Sequence, residues 1–189
     1  GNKNISQDDK VFIIAEAGVN HCGDMDMASK MIKVAAEYCK ADVVKFQKRT
    51  NKDLLSKEEY SKPHPIPENS YGSTYGEHRE KLEFTIDQHK ILKKECEKLN
   101  VIYSTSVWDL NAAKEICKIN PALIKVPSAT NTDKHLMEFL LKNYKGEIHI
   151  SLGMTKRDEE KKIFNMVLKH SRGKDTIFYH CISGYPVET

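Results

Sequence analysis

Six short runs of apolar, largely β-branched residues are spaced along the chain: VFIIAE (11–16), DVVKFQ (42–47), VIYSTS (101–106), LIKVPS (123–128), EIHISLG (147–153) and TIFYHC (176–181). Each is short and nearly continuous in hydrophobicity, the pattern of strands buried on both faces. Between them lie segments whose apolar residues recur every three or four positions, at 25–40, 85–100, 110–120, 133–144 and 157–171. In the first, Met27, Met31, Val34, Ala35 and Tyr38 share one helical face, while Lys30, Lys33 and Glu37 point elsewhere. Asp24 or Asp26 is the expected N-cap of that helix, with Thr85 and Thr132 expected to cap later ones.

Strand and helix alternate about five times, which predicts an α/β fold with a parallel sheet. Most repeats take about 20–30 residues, the size of a βα unit in a (β/α)8 TIM barrel, whereas a whole barrel needs eight units and about 250 residues. The expectation is therefore a TIM barrel truncated to about six strands and five helices, with residues 1–189 forming one partial barrel domain. A doubly wound sheet is the alternative, but EAGVNHCGD after the first strand is not a G-x-G-x-x-G turn. The connection at 48–84 is too long for a simple turn. Its Tyr60, Tyr71, Tyr75, His78 and Arg79 predict an ordered lid rather than a loose insert.

Composition narrows the function classes. A net charge of +3, from 30 basic and 27 acidic residues, is too balanced for a nucleic-acid or anionic-membrane binder. No apolar run approaches the ~20 residues of a transmembrane helix, and the start carries no signal-peptide pattern. Five cysteines, odd in number and never spaced C-x-x-C, read as free thiols of a cytoplasmic protein.

Every predicted strand finishes in polar or ionisable residues. They are Glu16 with Asn20 and His21; Lys45 and Gln47; Ser104, Thr105 and Ser106; Lys125 and Ser128; Ser151; and His180 with Tyr185. In a parallel barrel the strand C-termini open on the face that carries active sites. Lys45 and Lys125 interrupt apolar strands, so each requires a negative partner or a depressed pKa. Together with the hydroxyls of Ser104, Thr105, Ser128 and Ser151, they suggest an anion site. Glu16 is the one acid ending such a strand, the natural general acid/base or hydroxyl-holding group. The spacing of His21 and His180 fits no zinc motif, so both are expected to be hydrogen-bonding histidines.

The segments IAEAGVNHCGD, VVKFQ, YSTSVWD, IKVPSATN, ISLGMT and HCISGYPV, in this order over residues 11–188, resemble the N-acetylneuraminate (sialic acid) synthase family. The resemblance implies a TIM barrel followed by a small antifreeze-like domain. It implies a phosphoenolpyruvate-dependent transferase that condenses that substrate with an N-acetylhexosamine such as N-acetylmannosamine, with a divalent metal, Mn2+ or Mg2+, as a homodimer. Lys45, Thr105, Lys125, Ser128 and Ser151 would hold the phosphate and carboxylate of phosphoenolpyruvate. Glu16 and Tyr185, with Asn20 and Gln47 alongside, would face the acceptor sugar, and Glu16 would assist proton transfer. The family's two metal-binding histidines are expected past residue 189, so none is assigned here and the chain alone is expected to be inactive.

Two positions depart from the family pattern. Thr130 stands where an acidic residue contacts the sugar, and Gly184 stands where asparagine is common. Both departures concern the acceptor, so the expected product extends to legionaminate- or pseudaminate-type acids and to capsule or spore-coat sugars. A Schiff-base aldolase using Lys45 or Lys125 is a second reading. A non-catalytic phosphate-binding fragment is a third.

Overall fold

The computed structural model describes residues 10–184 and 186–187. In chain order the elements are β1 (Ile14–Gly18), α1 (Met25–Glu37), β2 (Val43–Lys48), α2 (Asn51–Leu54), α3 (Lys57–Ser61), α4 (Tyr75–Lys81), α5 (Ile86–Lys98), β3 (Ile102–Val107), α6 (Leu110–Ile119), β4 (Leu123–Val126), α7 (Lys134–Asn143), β5 (Glu147–Ser151), α8 (Arg157–Lys169) and β6 (Thr176–Tyr179). Short 3-10 turns stand at Pro67–Asn69, Ser128–Thr130 and Gly173–Asp175. The six strands follow one another in the sheet in chain order. This is the α/β repeat of a truncated TIM barrel.

All six expected strands and all five expected helices form. The expected total of five helices is too low, because the 48–84 connection folds into α2, α3 and α4. Two of these short helices start on capping boxes. Ser56 and Glu59 satisfy each other's backbone N–H groups at α3, and Thr74 and Glu77 do so at α4. Asp24 caps α1 by accepting from the amides of Asp26 and Met27. Thr85 caps α5 through a third capping box, with Gln88. The cap expected at Thr132 falls one residue later: the carboxylate of Asp133 accepts from the amides of His135 and Leu136.

The chain divides between Ser104 and Thr105, inside β3, into two compact units. In the first, β1 runs parallel to β2, and the register slips by one residue between Glu16 and Gly18. Val43, Val44 and Phe46 of β2 are fully buried. Phe46 packs toward His21 and Tyr103, and the Tyr103 hydroxyl lies 2.7 Å from Nδ1 of His89 on α5. Because side chains alternate along a strand, Lys45 and Gln47 take the face opposite to Phe46. In the second unit, β4, β5 and β6 are parallel. Ile124, Ile148 and Ile150 point to the helices and are fully buried, as are Ile116 of α6 and Leu136 and Leu140 of α7. Each such side chain stabilises the fold by about 1.5–3 kcal/mol.

Gly76 shows how the 48–84 connection is held. A Cβ there would run into the Tyr60 ring, so α3 and α4 meet only because this position is bare. Arg49 and Glu83 close the segment's two ends with an ion pair of 2.5 Å between side chains that are 10% and 7% exposed. The segment is ordered, as its aromatic residues predicted.

Candidate active site

Within the first unit, Lys45 donates from its ammonium to the carboxylate of Glu16, its registered neighbour on β1. The Lys45 side chain is 10% exposed and that of Glu16 is 50% exposed. The lysine thus has the negative partner its buried position requires. Gly18, in the left-handed region at φ +58°, is the centre of the cluster. A Cβ on it would lie 3.5 Å from Gln47 Nε2, 3.5 Å from Glu16 Oε1 and 3.8 Å from Asn20 Nδ2. Four of the expected site residues, Glu16, Asn20, Lys45 and Gln47, are therefore together at the ends of β1 and β2.

His21 is buried beside this cluster, stacked on Phe84 with ring centroids 4.0 Å apart. Its Nδ1 accepts from the Gly23 amide at 3.1 Å. Burial pushes its pKa down to about 4, so the ring is neutral and hydrogen-bonding, as expected.

The second unit carries the other lysine. Lys125 donates to Ser151 Oγ at 2.5 Å and to the Val126 carbonyl at 3.1 Å, and its ammonium stands 5.6 Å from the Tyr179 ring centroid. Asn131, buried, donates to the Ser151 carbonyl at 2.7 Å and fixes the end of β5. Ser128 opens the 3-10 turn after β4. A Cβ on Gly153 would stand 2.8 Å from its hydroxyl and 2.5 Å from that of Ser183. Because Gly153 is bare, the hydroxyls of Ser128 and Ser183 both approach it closely within this unit.

Thr105 is fully buried, and its hydroxyl lies 3.5 Å from the Ser106 carbonyl in its own strand rather than in the lysine–serine pair. Tyr185 lies outside the described residues. His180 is exposed just past β6. Sequence reasoning missed Ser183, whose place beside Gly153 depends on the fold. It also missed His149, which is buried with Nδ1 2.7 Å from the Tyr179 hydroxyl and Nε2 3.5 Å from Glu147. Alternation along β5 puts Glu147, His149 and Ser151 on one face, the signal that could have singled out His149.

Among the described residues no three His, Cys, Asp or Glu side chains are grouped to hold a metal ion. The buried imidazoles have other uses: His21 accepts from Gly23, His89 pairs with Tyr103 and His149 with Tyr179. These residues do not fit a divalent cation, which needs several converging oxygen or nitrogen donors. All five cysteines are free thiols, and no helix among the described residues is long and apolar enough to cross a membrane.

The βα repeat, with one buried lysine on β2 and a second lysine on β4, defines a TIM-barrel-like protein. The chain belongs to the NeuB family, whose profile matches residues 31–189. It is 33% identical over 177 residues to human (Homo sapiens) N-acetylneuraminate-9-phosphate synthase, covering 94% of this chain and 48% of that protein. It is 30% identical over 178 residues to the N,N'-diacetyllegionaminic acid synthase of Campylobacter jejuni, covering 94% of this chain and 53% of that one. The fold is similar to the N-acetylneuraminic acid (sialic acid) synthetase of Leptospira borgpetersenii, crystallised in complex with citrate. That match has a TM-score of 0.81 and 25% identity, covering 100% of this chain and 60% of the other. The chain spans about half the length of the curated relatives it matches.

Proposed function

We propose that this chain is the phosphoenolpyruvate-binding part of a nonulosonic acid synthase. The reaction would condense phosphoenolpyruvate with an N-acetylhexosamine such as N-acetylmannosamine and release phosphate. The observation that carries the reading is the placement of Lys125: it reaches out of an apolar strand to donate to Ser151 Oγ, in the unit where Ser128 and Ser183 set their hydroxyls against Gly153. An ammonium flanked by hydroxyl donors is what a phosphate or carboxylate needs. Family membership and the names of the relatives support the same chemistry.

In this reading Lys45, Thr105, Lys125, Ser128 and Ser151 hold the anionic groups of phosphoenolpyruvate. Glu16, Asn20, Gln47 and Tyr185 orient the acceptor. C3 of phosphoenolpyruvate attacks the acceptor's aldehyde carbon, water adds at C2, and the C2–O bond to phosphate breaks. The lysines stabilise the negative charge that moves onto the departing phosphate. Glu16, half exposed and paired to Lys45, is placed to exchange a proton with the new hydroxyl. Both ammoniums donate to oxygen acceptors, which suits anion binding better than Schiff-base formation. The relatives' names divide between a phosphorylated and an unphosphorylated product, so the acceptor is an N-acetylated hexosamine with or without phosphate. The free thiols support a cytoplasmic setting. The synthase reading carries with it a homodimer and residues 1–189 as one partial barrel.

Calorimetric titration with phosphoenolpyruvate tests the binding claim, and phosphate release by the full-length protein with a panel of N-acetylated hexosamines tests the reaction. Saturable binding that Lys125→Gln abolishes is the expected result. No binding of phosphoenolpyruvate would overturn the assignment.

A further inference from the structure

Neither the phosphoenolpyruvate positions nor the acceptor cluster uses His149 and Tyr179, yet both stand on the same face of the sheet as Lys125 and Ser151. The register places them there. Lys125 on β4 lies opposite His149 on β5, and Ser151, one pleat further on, lies opposite Tyr179 on β6. The other face of these strands is filled by Ile124, Ile148 and Ile150, all fully buried. Branched apolar side chains also dominate the inner face of a barrel sheet. A histidine that is 1% exposed at such a position carries a desolvation cost that an aliphatic residue would not.

The contacts around His149 have a direction. The Tyr179 hydroxyl lies 2.7 Å from His149 Nδ1, and His149 Nε2 lies 3.5 Å from the Glu147 carboxylate. Burial, with the Glu147 charge adding to it, raises the Tyr179 pKa above the usual phenol range, so the hydroxyl keeps its proton. A carboxylate facing Nε2 favours the tautomer that carries its proton there, which leaves Nδ1 to accept from the phenol. Tyr179 is thereby tied at its hydroxyl end. The Lys125 ammonium stands 5.6 Å from the centroid of the same ring, within the distance at which an aromatic face attracts a cation.

We infer that Glu147, His149 and Tyr179 form a positioning chain for Lys125. The carboxylate sets the imidazole tautomer, the imidazole holds the phenol, and the phenol ring supports the ammonium. His149 and Tyr179 act through the lysine in this arrangement and touch no substrate themselves. The ring attracts the ammonium without neutralising it, whereas a carboxylate in the same place would cancel the charge that an anion needs. The role of Lys125 as an anion holder rests on the synthase reading above; the chain that positions it does not.

The test combines calorimetric titration with phosphoenolpyruvate and urea unfolding of the same chain. Tyr179→Leu removes the ring face and should weaken phosphoenolpyruvate about fivefold, the scale of one cation–π contact. Tyr179→Phe keeps the ring and loses the tether, so its effect should be smaller, about twofold. His149→Leu breaks the same tether and should match Tyr179→Phe, with the double variant no worse than either single one. His149→Gln, whose amide oxygen can accept from the phenol, should restore the affinity. Equal losses in Tyr179→Phe and Tyr179→Leu would overturn the inference, as would additive losses from His149 and the Tyr179 hydroxyl. A second measurement needs no substrate. In a double-mutant cycle on the urea unfolding constant, Lys125→Met and Tyr179→Leu should be coupled by at least about threefold, and independent effects would also overturn the inference. If the unmodified chain fails to bind phosphoenolpyruvate, the synthase reading falls and this cycle alone decides whether Tyr179 holds Lys125.

Discussion

Lys125 and Ser151 are 26 residues apart in the chain, yet the ammonium of one donates to the hydroxyl of the other at 2.5 Å. The register explains it. Lys125 stands opposite His149, so Ser151 is one pleat further toward the strand ends on the same face. Replacing Ser151 with alanine removes a hydrogen bond to a charged group, worth about 1.5–3 kcal/mol. Phosphoenolpyruvate affinity should fall about tenfold, and the unfolding midpoint should fall by no more than that one hydrogen bond. Calorimetry beside a urea titration separates the two quantities.

Glu16 and Lys45 should respond differently to substitution. Glu16 is half exposed, so loss of its ion pair changes stability by no more than about 1 kcal/mol. Glu16→Gln should keep phosphoenolpyruvate binding and, in the full-length protein, lose phosphate release in the acceptor assay. Lys45→Gln should lose the binding itself. Equal loss of binding in both variants would show that the pair acts as one structural unit rather than in two roles.

Gly153 has no room for a side chain. Gly153→Ala would press a methyl group against the hydroxyls of Ser183 and Ser128, and overpacking of this kind costs about 1–3 kcal/mol. The expected result is at least a tenfold loss of phosphoenolpyruvate affinity, seen in the same titration, with far-UV circular dichroism unchanged. Undiminished binding would place the substrate elsewhere.

Acid should destabilise the fold earlier than its carboxylates alone would require. Burial lowers the pKa of His21 from 6.5 to about 4 and that of His89 from 6.5 to about 3. Both imidazoles take up a proton on unfolding below pH 6.5 but stay neutral in the folded chain, so the unfolded state binds more protons. Their contribution is complete above pH 6.5. It is lost as pH falls toward 4 and then 3, by about 1.4 kcal/mol per pH unit for each ring. Urea midpoints measured from pH 7 to pH 5 should fall steadily, and a flat profile would contradict buried neutral rings.

The strands and connecting helices were legible because both signals are local. Continuous apolar runs such as DVVKFQ and the three-to-four spacing of Met27, Met31, Val34 and Ala35 need no tertiary information. The helices of the 48–84 segment were not read, since α2 and α3 are four and five residues long and depend on contacts such as Tyr60 against Gly76. Their capping boxes, Ser56 with Glu59 and Thr74 with Glu77, were visible signals. In the site, the need of Lys45 for a counter-charge followed from its apolar strand, but Glu16 as the partner required the β1–β2 register. The Arg49–Glu83 pair and the place of Ser183 beside Gly153 join residues far apart in sequence, and no pattern along the chain announces them.

The slip in register between Glu16 and Gly18 makes the length of a five-residue strand a determinant in its own right. One residue is used without advancing the ladder, just after Glu16 has met Lys45, and Gly18 then turns back with Asn20 at hand. Insertion or deletion of a single residue there would leave the Glu16–Lys45 pair in place but put Gly18 and Asn20 out of step with Gln47. The composition would hardly change, and each residue of the cluster would still be present. The place of Gly18 and Asn20 beside the acid–lysine pair is therefore exposed to shifts in spacing that substitution scanning does not probe.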